Sequence, residues 1–504
     1  MAAAFLAMHG IDLQAEMDHA HATTMSALTS TPSTLPLPPP QPVCILRSVL
    51  LPSRPGIHHD IHVSPSGIIT SITLSTSRAQ PAPDTTPEAL LKPALAPTSL
   101  PNTTSLLVVP SLCHPHIHLD KPYLLSHPCT SHLTPSSGSF SEALSLTSSA
   151  KELFTRDSLL ERGNWLIASS ISHGVTAMRA FVEADSTVDS LCVEVGADLK
   201  RLWKGRCEIQ LCVFAQEKVF SGSEGEGNRR AFEKAVKREE VQVVGSAPYV
   251  EESREAEERN VKWIVELAIS KGKGLDFHLD YYLDEKRESL IWYVLSVLKE
   301  ANWVERTNRK TVCLGHCTRL TRFSSLEWDR LREEVADLPV YFVGLPTSDL
   351  FMMGRPEKGE EKNDARQRGT LQVIDMKERG FRCAIGVNNV GNAFTPQGSA
   401  DPLSVAQLGV GLYQTGTEEA IRSVFECVSS GAREAIGLDG VGSGLERKPK
   451  GEIVEGDKAD LLLIGRAEGE AGPFHRRREN IREVVCDAGG DRLTIHEGKL
   501  VRVE

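Results

Sequence analysis

The chain reads as an α/β protein: a (β/α)8 TIM barrel with a composite β-sandwich domain built from both chain ends. Strand-like and helix-like segments alternate through its middle, with eight strands in all. Short β-like runs also occur near each terminus, and neither set has enough strands to bury an apolar face by itself. Single polar residues fall repeatedly at the ends of the middle strands, where barrels of this class carry their chemistry.

Residues 1–42 are rich in Ala, Ser, Thr and Pro and are expected to be a disordered leader. Residues 44–51, 59–63 and 68–74 read as short strands separated by Pro/Gly turns, and 75–101 reads as a loop. These early strands are expected to pair with tail strands at 453–464, 481–485 and 493–503. That makes 43–105 together with 445–504 the composite β-domain, and 106–444 the barrel. Within the barrel, the apolar run 106–110 is taken as the first strand. Later strands are expected at 175–182, 208–215, 241–247, 274–280, 311–316, 340–343 and 382–387. Helices are expected at 157–172, 228–238, 252–271, 286–302 and 326–337. Inserts at 221–228 and 355–368 read as solvated loops, the second also as a candidate mobile lid.

Composition narrows the function classes. Hydrophobic content of 40% and charged content of 24% are those of a soluble globular protein. A net charge of −11 argues against a nucleic-acid groove or an anionic membrane surface, and no apolar run approaches the ~20 residues of a bilayer span. Eleven cysteines without paired spacing suit reduced thiols in the cytoplasm. The oligomeric state is left open, a homo-oligomer included.

The chemistry centres on His114-Pro115-His116-Ile117-His118-Leu119-Asp120-Lys121. Along a strand, side chains alternate, so His116, His118 and Asp120 project to one side. Two imidazoles spaced i and i+2 at a strand end can share a divalent ion, and single histidines close later strands at His278 and His316. The plain alternative is a surface histidine cluster after a core strand. Cys313 and Cys317 flank His316, so a thiolate site competes with two isolated buried thiols. Gln216 and Asn388 also fall at or just past strand ends.

With these motifs in place, the sequence resembles the amidohydrolase superfamily of metal-dependent hydrolases, in its cytosine deaminase-like branch. The resemblance rests on 114–121, Phe214-Ala215-Gln216-Glu217, Phe277-His278-Leu279-Asp280, Gly315-His316, Gly386-Val387-Asn388-Asn389 and the tail segment 456–461. It implies one divalent metal ion, Zn or Fe, bound by His116, His118 and His278. It also implies that His316 orients the hydrolytic water and that Gln216 reads the amide-like edge of a substrate. Two positions depart from the family. Asn388 replaces the strand-eight aspartate; its amide oxygen can bind metal but cannot act as a general base. Tyr281 replaces the glutamate that shuttles protons in deaminases, leaving it a substrate-binding role. Asp120, Asp280 and Asp401 are nearby carboxylates available to take the base role, and Asp120 and Asp280 are also placed to orient the rings of His118 and His278. Lys121 is expected to bind an anionic substrate group or to pair with one of these aspartates. The expected function is hydrolysis of a non-peptide carbon–nitrogen bond in a cyclic amide or amidine. His316 would then take the proton that Asn388 cannot, both acting in catalysis. The alternative is a catalytically degenerate protein of this fold that binds a small molecule.

Overall fold

The Val-, Ile- and Leu-rich runs at both ends of the chain form strands of one sheet. The computed structural model describes residues 39–76, 102–355, 368–439, 451–466 and 476–503. The leader through residue 38, most of the 75–101 loop and the charged insert at 356–367 lie outside the described residues. The first strands are β1 (Gln41–Pro42), β2 (Ile45–Leu51), β3 (Arg54–Val63), β4 (Ile69–Leu74) and β5 (Leu107–Pro110). The barrel follows as β6 (Leu112–His118), β7 (Val175–Glu183), β8 (Glu208–Ala215), β9 (Val241–Ser246), β10 (Gly274–Leu279), β11 (Val312–His316), β12 (Val340–Gly344) and β13 (Cys383–Ile385). The tail adds β14 (Leu461–Ile464), β15 (Arg492–His496) and β16 (Lys499–Val501).

The end strands hydrogen-bond in the order β1-β16-β15-β14-β5-β2-β3-β4. The two chain ends thus share one sheet and one core, in which Leu46, Val49 and Ile61 meet Leu461, Leu463 and Ile495. Arg492 clamps this sheet to the barrel through a bidentate pair with Asp401, at 2.9 and 2.8 Å. Asp401 also caps the helix Pro402–Leu412, so it is a structural anchor and not an available base.

The barrel strands are parallel in the order β6 to β13 and almost wholly buried, as expected for strands covered on both faces. Closure is completed beyond β13, where the Asn388 N–H donates to His116 O and the His118 N–H to Asn388 O.

Three local expectations are corrected. The run at 106–110 is not the first barrel strand: β5 pairs with β14 and β2, and the chain crosses at Ser111 into β6, whose residues form the histidine motif themselves. The segment read as a strand at 481–485 is the helix Ile481–Cys486. Asn480 caps it, and Ile481, Val484 and Val485 are buried at helical spacing. The insert at 221–228 is only partly a loop, since a helix already begins at Gly225.

Candidate metal centre

Alternation along β6 places His116 and His118 on one face, and the parallel neighbours bring in His278 from β10. Candidate ligand atoms of these three histidines lie within 4.8 Å of one another. Ring centroids are 5.7 Å apart for His116–His118, 4.5 Å for His116–His278 and 5.2 Å for His118–His278. Glycine at 315 makes room for this arrangement, because a Cβ there would stand 3.0 Å from His116 Cε1. Burial, reinforced by neighbouring positive groups, holds all three imidazoles well below their usual pKa. They are therefore neutral, the form in which imidazole ligates metal.

The donor set fits a divalent cation. Both ring nitrogens of His116, Nδ1 of His118 and Nε2 of His278 are buried without a hydrogen-bond partner. Such orphaned buried ring nitrogens are costly unless something binds them. Asn388 contributes a fifth orphaned atom. Its Nδ2 donates to Ser348 Oγ at 2.8 Å, which leaves Oδ1 buried and without a partner.

His316 closes β11 with its ring 5.0 Å from that of His278. Its Nδ1 donates to Asp349 Oδ1 at 2.7 Å, and Thr370 Oγ1 donates to Asp349 Oδ2 at 2.9 Å. With Nδ1 engaged, Nε2 is the ring nitrogen left to accept a proton. Burial raises the Asp349 pKa, opposed by the hydrogen bonds from His316 and Thr370. Sequence reasoning missed Asp349. The available signal was a Ser-Asp pair just past the end of β12, 33 residues from its partner.

Asp280, His316 and Asn388 all have left-handed backbone, with φ of +48°, +66° and +68°. Such strain in non-glycine residues concentrates at functional sites. It also corrects the reading of Asp280 as orienter of His278. Strand alternation ends at Leu279, and Asp280 turns to accept hydrogen bonds from Ser289, Tyr282 and the Leu290 N–H. Asp120 likewise orients no histidine; its Oδ2 accepts from the Glu183 N–H at 2.6 Å. Lys121 pairs with Glu183, not with an aspartate.

Tyr281 lays its ring over His316 with centroids 3.9 Å apart, within an apolar cluster that includes Phe140, Tyr249, Met352 and Phe394. Burial pushes its phenol well above the usual range, so it forms wall and not proton relay. Gln216 stands just past β8, with its side chain beside the Tyr249 hydroxyl. The two cysteines beside His316 are inert thiols: burial raises Cys313 to about 12 and Cys317 well above its ordinary value.

A second grouping lies beside the first, at the ends of β7 and β8: Glu183, Asp185 and Glu217. Its cation is already present. Lys151 Nζ lies 2.9, 2.5 and 2.8 Å from the three carboxylates.

Comparison with known proteins agrees with this geometry. The model of the amidohydrolase family matches residues 107–488. A curated relative, the N-isopropylammelide isopropyl amidohydrolase of Pseudomonas sp. (strain ADP), is 22% identical over 297 residues, 58% of this chain; the chain spans 64% of that relative's length. The structure of 5-methylcytosine deaminase from Klebsiella pneumoniae superposes with a TM-score of 0.71 at 18% identity, covering 91% of this chain and 98% of that one. N-isopropylammelide isopropylaminohydrolase from Burkholderia multivorans gives a TM-score of 0.65 at 20% identity, covering 91% and 97%. At these identities the structural likeness establishes the fold. Among the described residues, no helix is long and apolar enough to cross a membrane. With a family match that runs from β5 through the helix Ile481–Cys486 and three histidines gathered at the barrel mouth, the chain belongs to the amidohydrolase family.

Proposed function

We propose that the protein is a metal-dependent hydrolase of a non-peptide carbon–nitrogen bond, acting on a cyclic amide or amidine of a small heterocycle in the cytoplasm. The carrying observation is the convergence of His116, His118 and His278, neutral and with ring nitrogens that no other group satisfies. These residues would hold one divalent ion, Zn or Fe, with Asn388 Oδ1 as a further oxygen donor; the histidine-rich set accepts either metal. Such an ion lowers the pKa of water to about 7 and polarises the bond under attack.

The rest is the work of this chain's side chains. Asp349 fixes the orientation of His316, so that its Nε2 takes the proton of the attacking water. Gln216, beside Tyr249, offers an amide to the substrate's own amide-like edge. Tyr281 covers His316 and excludes bulk water from it. The two named relatives that act on N-isopropylammelide and the 5-methylcytosine deaminase support a nitrogen heterocycle as substrate.

A second reading, a degenerate binder, is favoured by one specific observation: an amide at Asn388 and a high-pKa phenol at Tyr281 stand where the family keeps a base and a shuttle. Metal content of the purified protein, followed by ammonia or amine release across pyrimidines, pterins and cyclic amides, separates the two. One equivalent of metal with turnover is the expected result. Metal without turnover on any substrate supports the binder, and absence of metal affinity sinks both.

A further inference from the structure

His116, His118, His278 and His316 are at most 3% exposed, so traffic between solvent and the histidine centre requires some element of the barrel mouth to move. The helix Phe140–Glu152 spans that mouth. In its first half Phe140, Ala143, Leu144 and Leu146 pack into the cluster over His316: Phe140 lies 5.5 Å from the Tyr281 ring, 5.8 Å from Phe394 and 6.3 Å from Tyr249. Its last turn carries Lys151, whose buried ammonium reaches Glu183 at the end of β7, Asp185 just past it and Glu217 past β8. A single side chain thus ties one end of the helix to two barrel strands through charge-assisted contacts, which are stronger than neutral ones. Before the helix, Arg355 donates to the Ser137 carbonyl at 3.4 Å, while the N–H groups of Ser136, Ser137 and Gly138 donate to Glu142 of the helix itself.

We propose that Lys151 is a positioning residue that docks the helix Phe140–Glu152 over the barrel mouth and so governs passage to the three-histidine centre. The inference rests on the metal centre proposed above. Lys151 touches none of the four histidines. Its effect is on the rate at which the site opens, not on the affinity of the site once reached.

The test uses full-length protein loaded with Zn²⁺. Metal loss to excess chelator is timed with a zinc indicator, and hydrogen exchange is followed across 140–152. Lys151→Met is expected to release Zn²⁺ on the order of tenfold faster, with equilibrium affinity within about twofold of wild type and helix protection reduced. Lys151→Arg keeps slow release. Phe140→Ala loosens the other end of the helix while leaving every ion in place; it too speeds release, and keeps the test decisive if Lys151→Met does not fold. Wild-type release rates in the variants, or full helix protection in Lys151→Met, overturn the proposal. Wild-type protein that takes up no Zn²⁺ overturns the metal centre instead, and the exchange measurement then decides the docking role alone.

Discussion

Two clusters stand side by side at the barrel mouth, and both gather three metal-type ligands within 4.8 Å. In the first, His116, His118 and His278 are neutral and each carries a buried ring nitrogen without a partner. In the second, Glu183, Asp185 and Glu217 surround Lys151. Burial disfavours that ammonium, but the three carboxylates outweigh it and raise its pKa well above the ordinary value. Lys121 joins Lys151 in holding Glu183 low against the opposing effect of burial. The difference teaches that ligand spacing alone does not make a metal site. What decides is whether the cluster is already balanced by a resident cation.

The largest expected effect breaks the first cluster. His116→Ala combined with His118→Ala should reduce metal content from one equivalent to none while circular dichroism shows the barrel intact, since strand-end residues contribute little to its core. Retained stoichiometric metal would place the ion elsewhere. Next comes the proton path. On a substrate found by the screen, His316→Ala should cut kcat by roughly 10²- to 10⁴-fold, and Asp349→Asn by roughly 10- to 100-fold. Asn388→Ala should matter only modestly. Turnover unaffected by His316→Ala would refute the assignment of His316 as base. Turnover that emerges only when Asn388→Asp is combined with Tyr281→Glu would favour the binder.

The second cluster is sharpened by emptying it. Lys151→Met leaves buried carboxylates without their ammonium, which should cost about 3–5 kcal/mol of stability, read as a lower urea midpoint. Millimolar Ca²⁺ or Mn²⁺ should then raise the midpoint of this variant and not of wild type, because three carboxylates supply the oxygen ligands such ions take. No cation response would mean that the carboxylates relax apart once the lysine is gone.

The smallest effect concerns pH. Burial lowers the His114 pKa to about 4. Between about 6.5 and 4 the unfolded chain therefore binds a proton that the folded chain refuses. The stability from this group is present above 6.5 and declines as pH falls towards 4, by up to a few kcal/mol. Urea midpoints at pH 7.5 and pH 5 should show this loss, and His114→Gln should flatten it. Metal-free protein should fall more steeply than the loaded form, because His116, His118 and His278 are also held neutral by burial.

Much of the architecture was legible because its signals are local. Apolar runs of strand length between helical stretches sufficed to place seven of the eight barrel strands, from β7 to β13. The exception is the first, β6, whose place was given to β5. Leu107–Pro110 has the same composition as a barrel strand, and only its pairing with β14, more than 350 residues later, assigns it to the other sheet. The segment Ile481–Cys486 misled for a similar reason: six residues are too few to separate period 2 from period 3.6.

The sequence by itself determined that His116 and His118 share a face and that His278 and His316 end strands, because alternation is a property of the local backbone. Only the tertiary structure decided how the charged groups pair. Asp120 and Asp280 stand two residues beyond histidines, yet each turned to a backbone N–H once regular strand geometry ended. Asp349 met His316, and Lys151 met three carboxylates as far as 66 residues away, because barrel closure sets which strand ends become neighbours. Buried charge must find a partner wherever the closed fold offers one, and that choice is not encoded in any short stretch of chain.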